Sequence, residues 1–319
     1  MMSGSVEIVL KIVPVILLIA LGVFFEKRNF ISKEAIGGIK KIVMNLSLPS
    51  LLFLTLLRSE MKPEYFLISS VVFAACAAGL SLGFLFKRLQ RSQNQFYPSV
   101  FSSFVTGLVG YSLFISAFGS EHLYKLAILD IGNLLFIFIV LMNFLQRVSC
   151  EFSGMKKLRL KDQLLGMSRS PILIASFLGI LASLSGSSSI IQTVPATSAL
   201  ISVLTLLANS AVPMTLLVIG YDLHFDLRNF VKPATAVVLR LTMMLAFAYI
   251  LNTFVLDRLM GLDHMFQMAL YTMFILPPTF IIPVYIQGDC EEKSFILNFF
   301  SIHLVFTIIA FVILVAFMG

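Results

Sequence analysis

The sequence has few charged residues, and that shortage excludes most soluble proteins. Asp, Glu, Lys and Arg make up 12% of the 319 residues, whereas hydrophobic residues make up 59% and the mean hydropathy is +0.98. Soluble domains carry roughly 25% charged residues. The composition therefore predicts an integral membrane protein.

Cysteines and catalytic motifs are also scarce. Cys76, Cys150 and Cys290 lie too far apart for a disulfide framework or a metal-ligand spacing. The sequence has no HExxH motif, no GxGD motif of intramembrane aspartyl proteases, no paired acidic cluster for prenyl transfer and no nucleotide-binding loop. We therefore expect no catalytic residues, no metal and no cofactor, and the missing nucleotide-binding loop argues against a self-powered pump.

Ten apolar runs are long enough to be considered as membrane crossings, since a bilayer core of about 30 Å takes roughly 20 helical residues. The runs are uniformly apolar rather than alternating, which favours helices over barrel strands. The predicted fold is thus an all-α membrane protein with ten transmembrane helices. The ten predicted segments, numbered 1 to 10, are 6–25, 42–57, 65–86, 97–118, 124–146, 171–186, 197–221, 233–255, 265–286 and 294–318.

Prolines, glycines and asparagines repeat at matched positions in the two halves of the chain. The step from Pro to Gly is eight residues in segments 1 and 6, and the step from Asn to Pro is four residues in segments 2 and 7. Conserved order and spacing of this kind indicate an internal duplication. The matched pairs are Pro14 with Pro171, Gly22 with Gly179, Asn45 with Asn209 and Pro49 with Pro213.

Helix breakers continue this pattern in segments 4 and 9. Gly107, Gly110 and Ser112 in segment 4 match Pro278 and Pro283 in segment 9. Repeats with an odd number of spans lie in opposite orientations, and such inverted repeats are common in secondary transporters. We expect an N-terminal five-helix repeat at 1–150, a cytosolic linker at 151–170 and a C-terminal five-helix repeat at 171–319.

Basic residues are distributed by loop. The odd-numbered connections hold 17 Lys and Arg residues, whereas the even-numbered connections hold four, Arg58, Lys62, Lys125 and Arg258. The positive-inside rule then places both termini outside the cytoplasm. We expect the plasma membrane, or the inner membrane of a bacterium, as the location. The net charge of +7 thus reflects topology and predicts no nucleic-acid partner.

Several motifs together resemble the auxin efflux carrier family of prokaryotic and plant transporters. They are NLSLPSLLF at 45–53, SFVTGLVGYSLF at 103–114, the Pro171 to Gly179 opening, and LPPTFIIP at 276–283 followed by an acidic turn. The resemblance implies a scaffold domain and a transport domain, each built from both repeats, with broken helices 4 and 9 crossing near mid-membrane. It also implies organic anions, such as auxin or small carboxylic acids, as substrates.

Segment 4 departs from the family pattern at two positions. Val105 stands where relatives usually have asparagine, and Ser112 stands where they usually have the crossover proline. Losing an amide that could bind a carboxylate puts the usual substrate in question. A serine or tyrosine hydroxyl could replace it, although serine hydroxyls in helices often bond to their own backbone.

Segment 9 is predicted to break sharply between Pro278 and Pro283, because proline removes a hydrogen-bond donor and clashes with the preceding turn. Segment 4 is predicted to bend more softly around Gly107 to Ser112, because glycine permits a break without enforcing one. Free N–H groups at such breaks favour an anion. The candidate substrate-binding residues are Thr106, Gly107, Gly110, Tyr111, Ser112, Pro278, Thr279 and Pro283.

Charged and amide side chains within the segments give further candidates for coupling or support. Asp130 is either a proton site or a structural carboxyl that orients the crossover together with Asn133. Arg240 either neutralises a substrate anion, snorkels, or pairs with a carboxylate. Asn45 and Asn209 hold equivalent places in the repeats, which favours contacts within the fold over substrate binding.

The sequence thus predicts a secondary transporter that carries a small organic anion by alternating access. The alternatives are a membrane receptor or sensor on the same fold and, less favoured, an intramembrane enzyme. Besides the lipid bilayer, a homodimer and coupling to protons or sodium are further expectations.

Overall fold

The computed structural model describes residues 2–59, 62, 64–153, 170–185, 195–223, 230–286 and 291–318. Within these ranges the chain is helical and contains no β-strand. Most of the predicted linker (154–169) and the acidic turn after segment 9 (287–290) lie outside the described residues. The all-helical prediction is confirmed for the described part of the chain.

Seven helical stretches within the described ranges are long and apolar enough to cross a membrane, which supports the prediction of a membrane protein. The helix Pro171–Leu184 is apolar but shorter. The seven stretches are Lys33–Leu57, Tyr65–Leu89, Tyr97–Phe118, Ser120–Ser149, Thr197–Tyr221, Val231–Leu259 and Glu291–Phe317.

Twelve α-helices are described. They are α1 (Met2–Lys27), α2 (Lys33–Ile42), α3 (Leu48–Leu57), α4 (Glu64–Leu89), α5 (Tyr111–Phe118), α6 (Leu123–Phe136), α7 (Met142–Ser153), α8 (Pro171–Leu184), α9 (Pro195–Tyr221), α10 (Val231–Leu251), α11 (His264–Phe274) and α12 (Glu291–Met318). Four π-helical turns are Val43–Ser47, Thr106–Gly110, Ile137–Leu141 and Asn252–Leu259. Three 3-10 turns are Tyr97–Phe101, Ser120–His122 and Ile282–Tyr285.

Segment 2 begins earlier than the sequence predicts. The Ser32 hydroxyl caps α2 by accepting a hydrogen bond from the Ala35 N–H at 3.2 Å, so the helix starts at Lys33 instead of position 42. Helix α2 carries Lys33 at its start and Lys40 and Lys41 in its last turn, and a prediction from apolar runs leaves out such an amphipathic stretch.

The chain forms two compact units. Unit 1 comprises Met1–Tyr65, Gly107–Ala127 and Leu165–Leu223, and unit 2 comprises Phe66–Thr106, Ile128–Leu164 and His224–Gly319. Each unit therefore takes parts of the chain from both sides of the predicted linker. The boundary between the units also divides segment 4, between Thr106 and Gly107.

Close helix crossings organise unit 1. A Cβ atom on Gly22 of α1 would collide with the Leu217 carbonyl oxygen of α9, and a Cβ on Gly179 of α8 would lie 2.9 Å from the Leu56 Cβ of α3. Small residues permit such approaches between membrane helices. Gly22 and Gly179 form one of the matched pairs in the sequence, so both members of that pair lie at tight helix crossings.

Unit 2 has tight crossings of the same kind. A Cβ on Gly132 of α6 would collide with the Ser69 carbonyl oxygen of α4, and a Cβ on Gly79 of α4 would collide with the Phe101 carbonyl oxygen. Helix α4 therefore packs closely against both α6 and the start of segment 4. This packing holds the irregular backbone after Phe101 against a regular helix.

Candidate functional site

Segment 4 is interrupted at Ser102–Val105, which we call the segment 4 break. The 3-10 turn Tyr97–Phe101 precedes it, and the π-helical turn Thr106–Gly110 follows it. The Asn133 side chain of α6 replaces the missing helical bonds: its oxygen accepts from the Phe104 N–H at 3.0 Å, and its amide donates to the Phe104 carbonyl at 3.0 Å. Buried irregular backbone requires such partners.

This break adds to the prediction for segment 4. Gly107 and Gly110 belong to a π-helical turn, an irregularity of the kind at which helices bend, and Tyr111 and Ser112 begin α5, so the soft bend expected there stays a prediction. The interruption lies upstream of the glycines, where α4 and Asn133 contact the backbone. The glycines did not predict this interruption, because it depends on partners outside the segment.

Segment 9 is interrupted at Ile275–Ile281, which we call the segment 9 break. Helix α11 ends at Phe274, and a 3-10 turn resumes at Ile282. Within the break the Leu276 N–H donates to Met273, and the Ile282 N–H donates to Thr279, so no α-helical ladder continues. The predicted sharp break is therefore present, with Pro277 and Pro278 within it, whereas Pro283 lies in the 3-10 turn that follows.

The two breaks contact each other inside unit 2. The Val105 N–H donates to the Pro277 carbonyl at 2.9 Å, and the Thr279 N–H donates to the Ser103 hydroxyl at 3.4 Å. The Phe104 and Phe274 rings lie 4.9 Å apart, centroid to centroid. The interrupted parts of segments 4 and 9 thus cross, and we call residues 102–106 and 275–281 the crossing.

Arg240 of α10 binds both sides of the crossing. The guanidinium donates to the Ser103 carbonyl at 2.6 Å and the Leu276 carbonyl at 3.3 Å, and it also donates to the Val100 carbonyl. It lies 5.4 Å from the Phe104 ring centroid. Carbonyl groups released by both breaks are therefore bound by one cation.

The charge of Arg240 is buried and lacks an ion-pair partner in the described part of the chain. The side chain is 0% exposed, its Nε–H has no hydrogen-bond partner, and no described carboxylate lies within ion-pair distance. Of the three readings offered by the sequence, snorkelling and pairing with a carboxylate are wrong for the described residues, and neutralisation of a substrate anion stays a prediction. A buried cation without a paired anion is energetically unfavourable and favours an anion nearby.

Asp130 and Asn133 lie on one face of α6 and act together. The Asn133 amide donates to the Asp130 carboxylate at 2.8 Å, and the carboxylate is 2% exposed. The Thr106 hydroxyl lies 3.4 Å from the same amide. The structure thus shows the hydrogen bond expected of a carboxyl that orients the segment 4 break, while a proton-binding role stays a prediction.

A second helix supports the segment 9 break. The Thr307 hydroxyl of α12 donates to the Ile275 carbonyl at 2.7 Å, and the His303 Nδ1 lies 3.1 Å from the same hydroxyl. Thr307 was missed in the sequence. The signal that could have found it is the polar pair His303 and Thr307, four residues apart on an otherwise apolar helix.

The predicted substrate residues do not all lie in one unit. Thr106, Pro278, Thr279, Pro283, Asp130, Asn133 and Arg240 belong to unit 2, whereas Gly107, Gly110, Tyr111, Ser112, Asn45 and Asn209 belong to unit 1. The Ser112 hydroxyl lies 3.4 Å from the Leu108 carbonyl, and the Asn45 amide donates to the Lys41 carbonyl at 2.7 Å. Both are contacts within the same helical segment. Among the residues that the structure describes, no cluster of three His, Cys, Asp or Glu could hold a metal.

Comparison with known proteins supports the class of protein. No family model matches the chain. The chain is 27% identical over 240 residues to an "Uncharacterized transporter" of Methanothermobacter thermautotrophicus, and the match covers 73% of each chain. Together with the apolar helices, this similarity supports a membrane transporter.

Proposed function

We propose that the protein is a secondary transporter that moves a small organic anion, such as a carboxylate or an auxin-like acid, by alternating access. The observation that carries this proposal is the crossing, where one buried cation binds the carbonyls of two interrupted membrane segments. Interrupted helices inside a membrane protein are tolerated where they are buried or line a cavity, and transporters use them for substrate binding.

The anion is proposed on electrostatic grounds. Arg240 supplies a buried positive charge, but its Nη groups are occupied by carbonyls, so it acts on the anion through its field. No hydrogen bond among the described residues uses the N–H groups of Phe280 and Ile281, which are half-buried next to Thr279. These two N–H groups and the Thr279 hydroxyl are the proposed direct contacts of the anion.

The ten-segment inverted repeat is part of the proposal. Two observations support it: the matched glycines lie at equivalent crossings, α1 on α9 and α8 on α3, and each compact unit draws on both halves of the chain. Unit 1 would be the scaffold domain and unit 2 the transport domain. The broken segments 4 and 9 both contribute to the crossing.

Asp130 is proposed as the proton-sensitive group of the carrier. A protonated Asp130 leaves the positive field of Arg240 uncompensated and favours anion binding, whereas an ionised Asp130 opposes it. Asp130 and Arg240 act on neighbouring residues, since Asn133 links Asp130 to Phe104 and Arg240 binds Ser103. Anion and proton would therefore move together.

Flux in proteoliposomes tests this function. Radiolabelled indole-3-acetate and benzoate are measured from acid to neutral pH in the parent protein, Asp130→Asn and Pro283→Ala. We expect saturable flux that rises toward acid pH, a flattened pH profile in Asp130→Asn, and weaker flux in Pro283→Ala because a less interrupted helix presents fewer free donors. Asp222→Asn, which changes a half-buried carboxylate of unit 1 that pairs with Lys40, is the matched control.

Flux that is absent in the parent protein, while both acids still stabilise it against heat, would instead indicate a receptor or sensor. Unchanged flux and an unchanged pH profile in both variants would contradict the crossing as the site. Chemical conversion of either acid would indicate an enzyme.

Orientation requires a separate test. The excess of Lys and Arg in odd-numbered connections supports both termini outside the cytoplasm. In a cysteine-free background, Lys157→Cys is expected to resist an impermeant thiol reagent added to intact cells and to react after permeabilisation. Reaction in intact cells would reverse the proposed topology.

A further inference from the structure

A cavity within unit 1 carries both a cation and an anion. Its volume is about 430 Å³, and its walls come from α3, from the turn Ser120–His122 with the start of α6, and from α9. The charged side chains are Arg58 and Glu121. Cavities that bind small molecules have volumes of roughly 300–1,000 Å³.

Neither charge is neutralised by the described residues. Arg58 and Glu121 are exposed, and no ion pair or side-chain hydrogen bond among the described residues engages either of them. Arg58 is also one of only four Lys and Arg residues in the even-numbered connections. Two opposite charges in one cavity, neither of them paired among the described residues, are complemented by a ligand that carries both charges.

The other wall residues determine which uncharged groups the ligand carries. Leu51 and Leu54 are buried apolar side chains at the cavity, while Tyr124 and Asn209 add a hydroxyl and an amide. A purely anionic ligand would be repelled by Glu121, and a purely cationic ligand would be repelled by Arg58. A ligand with a carboxylate, an ammonium group and a short aliphatic tail matches all of these surfaces.

We infer that this cavity is a binding site for a small zwitterion, specifically a free α-amino acid with an aliphatic side chain. Arg58 binds its carboxylate, Glu121 binds its ammonium group, and Leu51 and Leu54 contact its side chain. The site shares no residue with the crossing of unit 2, so it does not rest on the proposed anion transport. It also gives a role to Asn209, which is a wall residue of this cavity.

The chain contains no tryptophan, so a single introduced tryptophan reports on this cavity alone. Tyr124→Trp places the reporter in the cavity wall. The purified full chain in nanodiscs is titrated with three probes of matched shape: L-leucine, 4-methylpentanoate without the ammonium group, and 3-methylbutylamine without the carboxylate. We expect a saturable change in fluorescence with leucine at about tenfold lower concentration than with either analogue, as one charge-assisted hydrogen bond contributes.

Variants in the reporter background separate the two charges. Arg58→Gln is expected to weaken leucine and 4-methylpentanoate by about tenfold, and Glu121→Gln is expected to weaken leucine but not 4-methylpentanoate. Arg28→Gln, an exposed arginine elsewhere in unit 1, is the matched control and should leave leucine binding unchanged. Arg240→Met should also leave the reporter response unchanged if that protein folds, which separates this site from the crossing.

Three results of the titrations would overturn the inference. They are the absence of a saturable response to leucine, an equal response to leucine and 4-methylpentanoate, and leucine binding that survives both Arg58→Gln and Glu121→Gln. Strong quenching of the reporter by lipids with brominated acyl chains would also overturn it, because an acyl chain would then occupy the cavity. A leucine response in a protein that shows no carboxylate flux would support the cavity and contradict only the anion transport.

Discussion

The segment 4 break contains no proline, whereas the segment 9 break contains Pro277 and Pro278. Segment 4 is interrupted where Asn133 binds both backbone groups of Phe104, so its irregular conformation depends on a side chain from α6. Segment 9 lacks the backbone donors of two consecutive prolines, which disfavour a regular helix through their own sterics. The segment 4 break therefore depends on a side chain from another helix, whereas the segment 9 break follows from the prolines of the segment itself.

This difference predicts a graded response to substitution. Replacing a residue that binds both breaks should lower the free energy of unfolding most, and replacing a residue that supports one break should lower it less. Replacing one proline in a break that has other supports should lower it least. Reversible unfolding in mixed detergent micelles measures the free energy of unfolding for each variant. Carboxylate flux then reports whether the crossing retains its shape.

The largest effect is expected for Arg240→Met. The variant leaves carbonyls of Val100, Ser103 and Leu276 without their donor, and buried unsatisfied groups cost about 1–3 kcal/mol each, so we expect a loss of about 3–5 kcal/mol of unfolding free energy. Arg258→Met is the matched control, because Arg258 is exposed and lies 5.2 Å from the Phe254 ring centroid.

The control variant should lose no more than about 1 kcal/mol, the value of an exposed cation–π contact. Equal losses in Arg240→Met and Arg258→Met would mean that Arg240 does not hold the crossing. Arg240→Lys is expected to retain the charge but not the three carbonyl bonds, and should fall between the parent and Arg240→Met.

Asn133→Leu is expected to have the second largest effect, because only the segment 4 break depends on it. Losing the two bonds to Phe104 should reduce the unfolding free energy by about 2–4 kcal/mol. Asn45→Leu is the control, since Asn45 is exposed and bonds only to the carbonyl of Lys41 in its own helical segment. A loss no greater than in this control would show that the break persists without Asn133.

The two breaks also differ in how well the sequence predicted them. Pro278 marked the segment 9 break correctly, because proline interrupts a helix through local sterics that the sequence states directly. The glycines of segment 4 coincide with the π-helical turn Thr106–Gly110, but they did not predict the interruption at Ser102–Val105, which is fixed by Asn133 on another helix. A helix break caused by residues of the segment itself can be predicted from the sequence, whereas a break that depends on a residue of another helix cannot.

The same distinction applies to the candidate site. The pairing of Asp130 with Asn133 was predictable, since residues three apart meet on one helix face. The role of Arg240 could not be predicted, because its partners are the backbone carbonyls of Val100, Ser103 and Leu276. No pattern of side chains in the sequence indicates such partners. Buried cations bound by carbonyl groups require the backbone path before they can be recognised.

A smaller effect is expected for Thr307→Val, which removes one supporting bond from the segment 9 break. The variant keeps the shape of the side chain but loses the donor to Ile275 and the contact with His303, so we expect a loss of about 1–2 kcal/mol. Thr242→Val is the control, because the exposed Thr242 hydroxyl bonds to Val238 in its own helix. Equal losses in both variants would mean that α12 does not support the break.

The smallest effect is expected for Pro278→Ala. Pro277, the carbonyl bond from Val105 and the donors from Arg240 and Thr307 all remain, so the break should persist. Only the fixed φ angle of one residue is lost, which lowers the unfolding free energy by about 0.4–1 kcal/mol, because the unfolded chain gains conformational entropy.

Pro14→Ala is the control, because Pro14 lies inside the continuous helix α1 and its replacement restores a backbone donor there. We expect Pro14→Ala to leave the stability unchanged or to raise it. If Pro278→Ala instead lost as much stability as Asn133→Leu, the segment 9 break would depend on a single residue, and the contrast between an intrinsic and an imposed break would be wrong.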